Sequence, residues 1–186
     1  MNQGTLRAVV VGLSLAGLPA LAQDKPAPPA PKPAPQLEQI KFFLGNWKCN
    51  GKQLATPMFG PEHTFTGSAS IKLESDGFWQ QITYEEKKSK EHPGFKLVGL
   101  WGWDSGGKRF IRAAGSSTGG WDSATSVGFN AEKMVWTGDL SSPMGRMPFR
   151  QTFTKKSEKE WTFRLELNMQ GNWVPLSEVG CTASKK

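Results

Sequence analysis

LEQIKFFLGNWKCNG, residues 37–51, decides how this chain is read. Leu37, Ile40, Phe43 and Leu44 fall at helical spacing, so 36–43 reads as a short amphipathic helix. It runs straight into Gly45-Asn46-Trp47, with a cysteine at Cys49. The only other cysteine is Cys181, close to the end of the chain. Two cysteines at opposite ends of a turn-rich domain suggest first and last strands lying side by side, which is how an antiparallel sheet closes into a barrel. In an oxidising compartment a count of two allows one pairing, Cys49–Cys181, and a loop of that length is worth ~4 kcal/mol. Two unpaired buried thiols are the alternative. With only His63 and His92 to assist, two thiols are too few for a metal site.

Downstream of Gly45 the pattern is strand, turn, strand, repeated. Strands are expected over 46–54, 62–73, 78–87, 95–103, 108–116, 120–129, 134–140, 146–154, 161–169 and 173–182. Asp104-Ser105-Gly106-Gly107 is the strongest hairpin signal among the turns. About ten strands joined by short turns is the spacing of an all-β, antiparallel up-and-down barrel or of a sandwich. Alternation separates two faces. Trp161, Phe163, Leu165 and Leu167 share one, and Thr162, Arg164, Glu166 and Asn168 share the other. Along 95–103 both faces carry apolar residues, Leu97 and Trp101 against Val98 and Leu100, so both sides of that strand read as partly covered.

The N-terminus reads as an address rather than as fold. Arg7, the apolar run 8–18 and Ala20-Leu21-Ala22 make a secretory signal peptide over 1–22. The apolar run is shorter than the roughly 20 residues a spanning helix needs, so no transmembrane segment is expected in the mature chain. Alternating Pro and Ala over 23–36 makes an extended, semi-rigid linker. The barrel domain is expected over 37–186, in the periplasm or outside the cell.

The formal charge of +7 raises nucleic-acid binding as a question. The lysines are spread over turns and the tail and form no stripe, so they read as solvated charge and no nucleic-acid partner is expected. Eight tryptophans and eleven phenylalanines stand against one tyrosine. Most of these rings are expected in the core, where each buries a large area.

Phe43-Leu44-Gly45-Asn46-Trp47-Lys48, a helix leading into Gly-x-Trp on a first strand, resembles the opening of the lipocalins and fatty-acid-binding proteins, together the calycins. Gly99-Leu100-Trp101-Gly102-Trp103-Asp104, Gly119-Gly120-Trp121 and Gly171-Asn172-Trp173-Val174-Pro175 resemble an exported bacterial domain family of unknown function, thought to share the lipocalin-like barrel. The resemblance covers 37–182. It implies structural roles for Gly45 and Trp47, with Trp47 lying under an arginine from a late strand, Arg150 or Arg164. The departures matter as much. The final strand lacks the arginine and tyrosine with which fatty-acid-binding proteins hold a carboxylate. No histidine follows His92, where a haem-carrying barrel group places its ligand near the C-terminus. No cofactor is expected.

No nucleophile elbow, phosphate loop or zinc spacing is present, and His63 and His92 read as surface residues. Glu85 and Glu86 are adjacent on a strand and point to opposite faces, so they cannot flank one bond. An enzyme is the less favoured class. The candidate lumen residues are Trp79, Tyr84, Trp101, Trp103, Arg112, Trp121, Trp136 and Arg164. As a pocket they would give apolar walls with one or two charges, suited to a small, partly apolar ligand with an anionic group as an option. The alternative is a cell-envelope interaction module that works through surface aromatics and holds no ligand. The oligomeric state is left open.

Overall fold

Residues 29–57, 59–90 and 92–184 are described by a computed structural model of the chain. The expected signal peptide and the start of the linker lie outside them. The unit described below is Lys32–Lys186.

Eleven strands follow one another: β1 (Gly45–Gln53), β2 (His63–Glu74), β3 (Trp79–Glu86), β4 (Phe95–Asp104), β5 (Arg109–Ser116), β6 (Trp121–Ser126), β7 (Phe129–Asn130), β8 (Lys133–Ser142), β9 (Gly145–Ser157), β10 (Glu160–Met169) and β11 (Asn172–Ala183). The sheet order is β6-β5-β4-β3-β2-β1-β11-β10-β9-β8, and β6 pairs again with β8. Ten antiparallel strands therefore close a barrel, and β7 is an extra two-residue strand on β8. The strand expected over 120–129 ends early. Gly128 takes a φ of +98° and its N–H donates to Ser126 Oγ at 3.1 Å, which turns the chain into β7. At the closing seam a Cβ on Gly138 would lie 1.9 Å from the Ser123 carbonyl oxygen, so only glycine lets β6 and β8 approach.

The first and last strands meet as the cysteine spacing suggested. Cys49 faces Cys181 in the register of β1 and β11, and the two form a disulfide that closes a separation of 132 residues. On the chain-entropy model that closure is worth about 5 kcal/mol. Between β10 and β11 the register shifts at Leu165/Glu166, opposite Pro175, where a residue with no N–H would otherwise interrupt the ladder.

The expected N-terminal α-helix is instead a 3₁₀ helix, Pro35–Phe43. Residues three apart eclipse one another in a 3₁₀ winding, and here the buried side chains are Leu37, Ile40 and Phe43. A period of three thus puts all three on one face, and nine residues are few to sustain an α-helix. That face plugs one end of the barrel. The Phe43 ring lies 5.4–5.9 Å from those of Trp101, Phe129, Phe153 and Trp161. Gln80 Nε2 donates to Ile40 O at 2.9 Å, and Trp47 Nε1 donates to Phe43 O at 2.8 Å. Trp47 is buried, with Phe42 and Trp161 as its ring neighbours. No arginine covers it: Arg150 stacks on Trp173 at 4.6 Å, and Arg164 turns outward to Glu178.

Candidate ligand site

The register fixes which side chains enter the lumen, and their exposure separates two halves. Towards the plug, Ile71, Trp101, Phe110, Met134, Trp136, Phe153 and Trp161 are all buried. Towards the other end the same alternation sends Leu97, Leu140, Met147, Leu165 and Met169 inward, and each stays half-buried. Side chains on the inside of a closed barrel meet solvent only where the barrel is open. This end is therefore a mouth with apolar walls.

A polar layer lies between the two halves. Arg112 projects inward beside Ala124, which faces Gly138 across the seam, and these small residues leave room for its long side chain. Its Nε donates to Asp122 Oδ1 at 2.9 Å and its second terminal nitrogen to Asp122 Oδ2 at 3.1 Å. The first terminal nitrogen donates to Gln151 Oε1. The guanidinium lies 5.1 Å from the Phe149 ring centroid and 5.8 Å from that of Trp136. Both members of the ion pair are buried, so the fork-to-carboxylate geometry offsets a large desolvation cost. The pair is electrically neutral as a unit. Two other buried groups in the lumen, Trp136 Nε1 and the Tyr84 hydroxyl, lack a hydrogen-bond partner. An unpaired buried donor is costly, and a ligand or water that accepts from it recovers that cost.

At the rim, Tyr84 and Glu86 alternate inward along β3, and the 87–94 loop brings His92 back to them. His92 Nε2 is 2.7 Å from Glu86 Oε2, and the His63 ring lies 5.2 Å from that of His92. Burial raises the Glu86 carboxyl above its ordinary range, opposed by hydrogen bonds and by the neighbouring imidazoles. Burial, and then the charge of Glu86, push the Tyr84 phenol upward. The sequence placed both histidines on the surface, but the β2–β3 register brings them together 29 residues apart. Among the described residues no group of His, Cys, Asp and Glu is arranged to hold a metal ion.

Of the sequence candidates, Tyr84, Trp101, Trp103, Arg112 and Trp136 project into the barrel. Trp79, Trp121 and Arg164 project outward. Trp79 lies over Gly102, where a Cβ would come within 2.5 Å of the ring. Trp121 is 55% exposed, and Arg164 pairs with Glu178 at 3.1 Å. Asp122, Gln151, Glu86, His92 and the half-buried aliphatics of the mouth were not among the candidates. A separate concavity of about 1160 Å³ crosses the outer wall, floored by Thr154, Thr162, Gly180, Asn50 and Thr66. Its polar floor and lysine rim do not suit an apolar ligand. No described helix is long and apolar enough to cross a membrane.

Comparison with known proteins adds fold but no activity. A family model described as "Protein of unknown function (DUF1579)" matches residues 32–181. The crystal structure of Rv2717c from M. tuberculosis matches with a TM-score of 0.65 at 8% identity, over 83% of this chain and 100% of that one. At that identity the likeness is one of fold alone. A protein of unknown function from the DUF3598 family of Nostoc punctiforme matches at 9% identity with a TM-score of 0.40, over 78% of this chain and 48% of that one, and carries no argument. No curated protein matches.

Proposed function

The chain belongs to the DUF1579 family of proteins of unknown function, and on that footing we propose that it is an exported, lipocalin-like binder of a small, largely apolar molecule. The molecule enters at the mouth and rests on the Arg112–Asp122–Gln151 layer. One observation carries this reading: Leu97, Leu140, Met147 and Leu165 face inward yet remain half-buried above a fully buried polar layer. The signal-like leader and the disulfide support export.

The polar layer also narrows the ligand. Asp122 already matches the charge of Arg112, so a bound anion would meet no net positive charge there. The unpaired Trp136 and Tyr84 groups favour a hydrogen-bond acceptor. A neutral molecule with a carbonyl, ether or hydroxyl oxygen fits better than a carboxylate.

Displacement of Nile red by a straight-chain alcohol and by the carboxylate of equal length tests both points. The expected result is saturable probe binding, removed by Leu165→Arg, with the alcohol displacing the probe more strongly. Non-saturable binding, or saturable binding untouched by Leu165→Arg, removes the mouth as a ligand site. Stronger displacement by the carboxylate overturns the neutral-ligand reading.

A further inference from the structure

The outer walls of the barrel differ as much as its two ends. Outward positions on β9, β10, β11 and β1 include Lys156, Arg164, Glu166, Glu178, Lys48 and Lys52. The outer face of β3–β6 is different. Between the Lys96–Glu85 pair near the mouth (2.9 Å) and the Arg109–Asp104 pair near the plug (3.5 Å), it carries no charged side chain. Val98 is 51% exposed, Leu100 43% and Trp121 55%, with Ala113 and Gly115 exposed between them. The Arg146–Asp139 pair, at 2.8 Å, bounds the β8 side. An apolar centre with a polar rim is the anatomy of a protein–protein surface.

We propose that this face docks a second copy of the chain, wall against wall, in a two-fold symmetric dimer. Charge argues for a copy of itself. The chain has a formal charge of +7, so pairing through the opposite wall sets lysines against lysines. On the β3–β6 face each rim charge is already matched within its own chain, and two such faces meet without repulsion.

Shape argues the same way. In the register, Gly115 lies between Val98 on β4 and Trp121 on β6, and a Cβ added at Gly115 would meet no atom within 4 Å. This leaves a hollow beside a projecting indole. A two-fold axis through the face carries each Trp121 towards the partner's hollow, which is the self-complementarity such an interface requires. The size is sufficient but modest. Five strands ~4.8 Å apart and about six residues long at ~3.3 Å each cover roughly 480 Å² of flat wall. Two copies with side-chain relief thus bury about 1,000 Å², near the lower bound for a specific interface, so a dissociation constant on the order of micromolar is expected.

Sedimentation equilibrium of the oxidised chain over a concentration series tests this. The expected result is a reversible monomer–dimer equilibrium. Leu100→Glu and Trp121→Ser should each weaken it at least ~10-fold, because they strike the centre of the face. Thr162→Glu, on the opposite wall, should leave it unchanged. Both positions are exposed, and an unchanged circular dichroism spectrum shows that a variant is folded. Ala113→Cys gives a second, independent readout: it should form a disulfide-linked dimer on mild oxidation, whereas Ser68→Cys on β2 should not. A chain that stays monomeric to ~100 μM overturns the proposal, as does a dimer indifferent to both central substitutions. A monomer that binds phosphatidylglycerol vesicles through Leu100 and Trp121 also overturns it, and assigns the face to a lipid surface.

Discussion

At one end of the barrel the ring of Phe43 is enclosed by four other rings. At the other, Leu165 and Met147 face the same lumen and stay half-buried. The strands are shared, so the difference comes from what is added at each end. The N-terminal 3₁₀ segment supplies a plug with three apolar residues on one face. The mouth has turns and the short 54–62 excursion, where Phe59 remains half-buried. One end of the barrel is therefore expected to carry stability and the other to carry exchange with solvent.

The largest test of that division is the polar layer on which the two halves meet. Asp122→Ala leaves the Arg112 guanidinium buried without its carboxylate, and a loss of about 3–5 kcal/mol is expected in urea denaturation. Arg112→Met combined with Asp122→Leu removes both charges and should recover most of that loss. A double variant as unstable as the single one would show that the layer works by shape rather than by charge. Reduction of Cys49–Cys181 should cost a comparable amount, about 5 kcal/mol, read as a lower midpoint in urea with reductant present.

Next in size is a direct comparison of the ends. Phe43→Ala empties a fully enclosed site and should cost about 3–5 kcal/mol. Leu140→Ala at the mouth removes a side chain that solvent already reaches, and about 1 kcal/mol is expected. Equal costs in thermal or urea unfolding would mean that the mouth is packed as tightly as the plugged end, and would remove the basis for a ligand site there.

Much of this architecture is legible in the residues, and the exceptions have physical causes. Closure followed from Cys49 and Cys181 because a disulfide needs neighbouring strands. Turn chemistry located the strands to within a few residues. The plug was expected as an α-helix because Leu37, Ile40 and Phe43 satisfy a three-residue period as well as a helical one. Arg164 shares a face with Thr162 and Glu166, so the alternation that sends Phe163 and Leu165 inward sends it outward. Trp121 is harder to read. β6 alternates Trp121, Ser123 and Thr125 with Asp122, Ala124 and Ser126, and small polar residues on both faces leave the parity undetermined. A tryptophan then draws the inward assignment, although the inward residue is Asp122. The histidine pair depends on a loop and a strand register, which no local pattern encodes.

The smallest effect expected is at the rim, and its sign is fixed by Glu86. Burial raises this carboxyl above its ordinary value of 4.5, so the folded chain holds the proton more tightly than the unfolded chain does. Below pH 4.5 both states are protonated and the group is neutral towards stability. As pH rises through that value, the unfolded chain loses the proton first, and Glu86 begins to destabilise the fold. The penalty grows until the folded carboxyl also ionises, and is constant above that point. His92 at 2.7 Å limits it by stabilising the carboxylate. Glu86→Gln removes the titration. The difference in unfolding free energy, wild type minus Glu86→Gln, should therefore fall as pH is raised from 4 through 7, as measured by urea denaturation at each pH. A difference that rises instead would mean that the His92 contact outweighs burial. The rim would then be held together by an ion pair rather than strained by a buried acid, and the mouth would be the more rigid end at neutral pH.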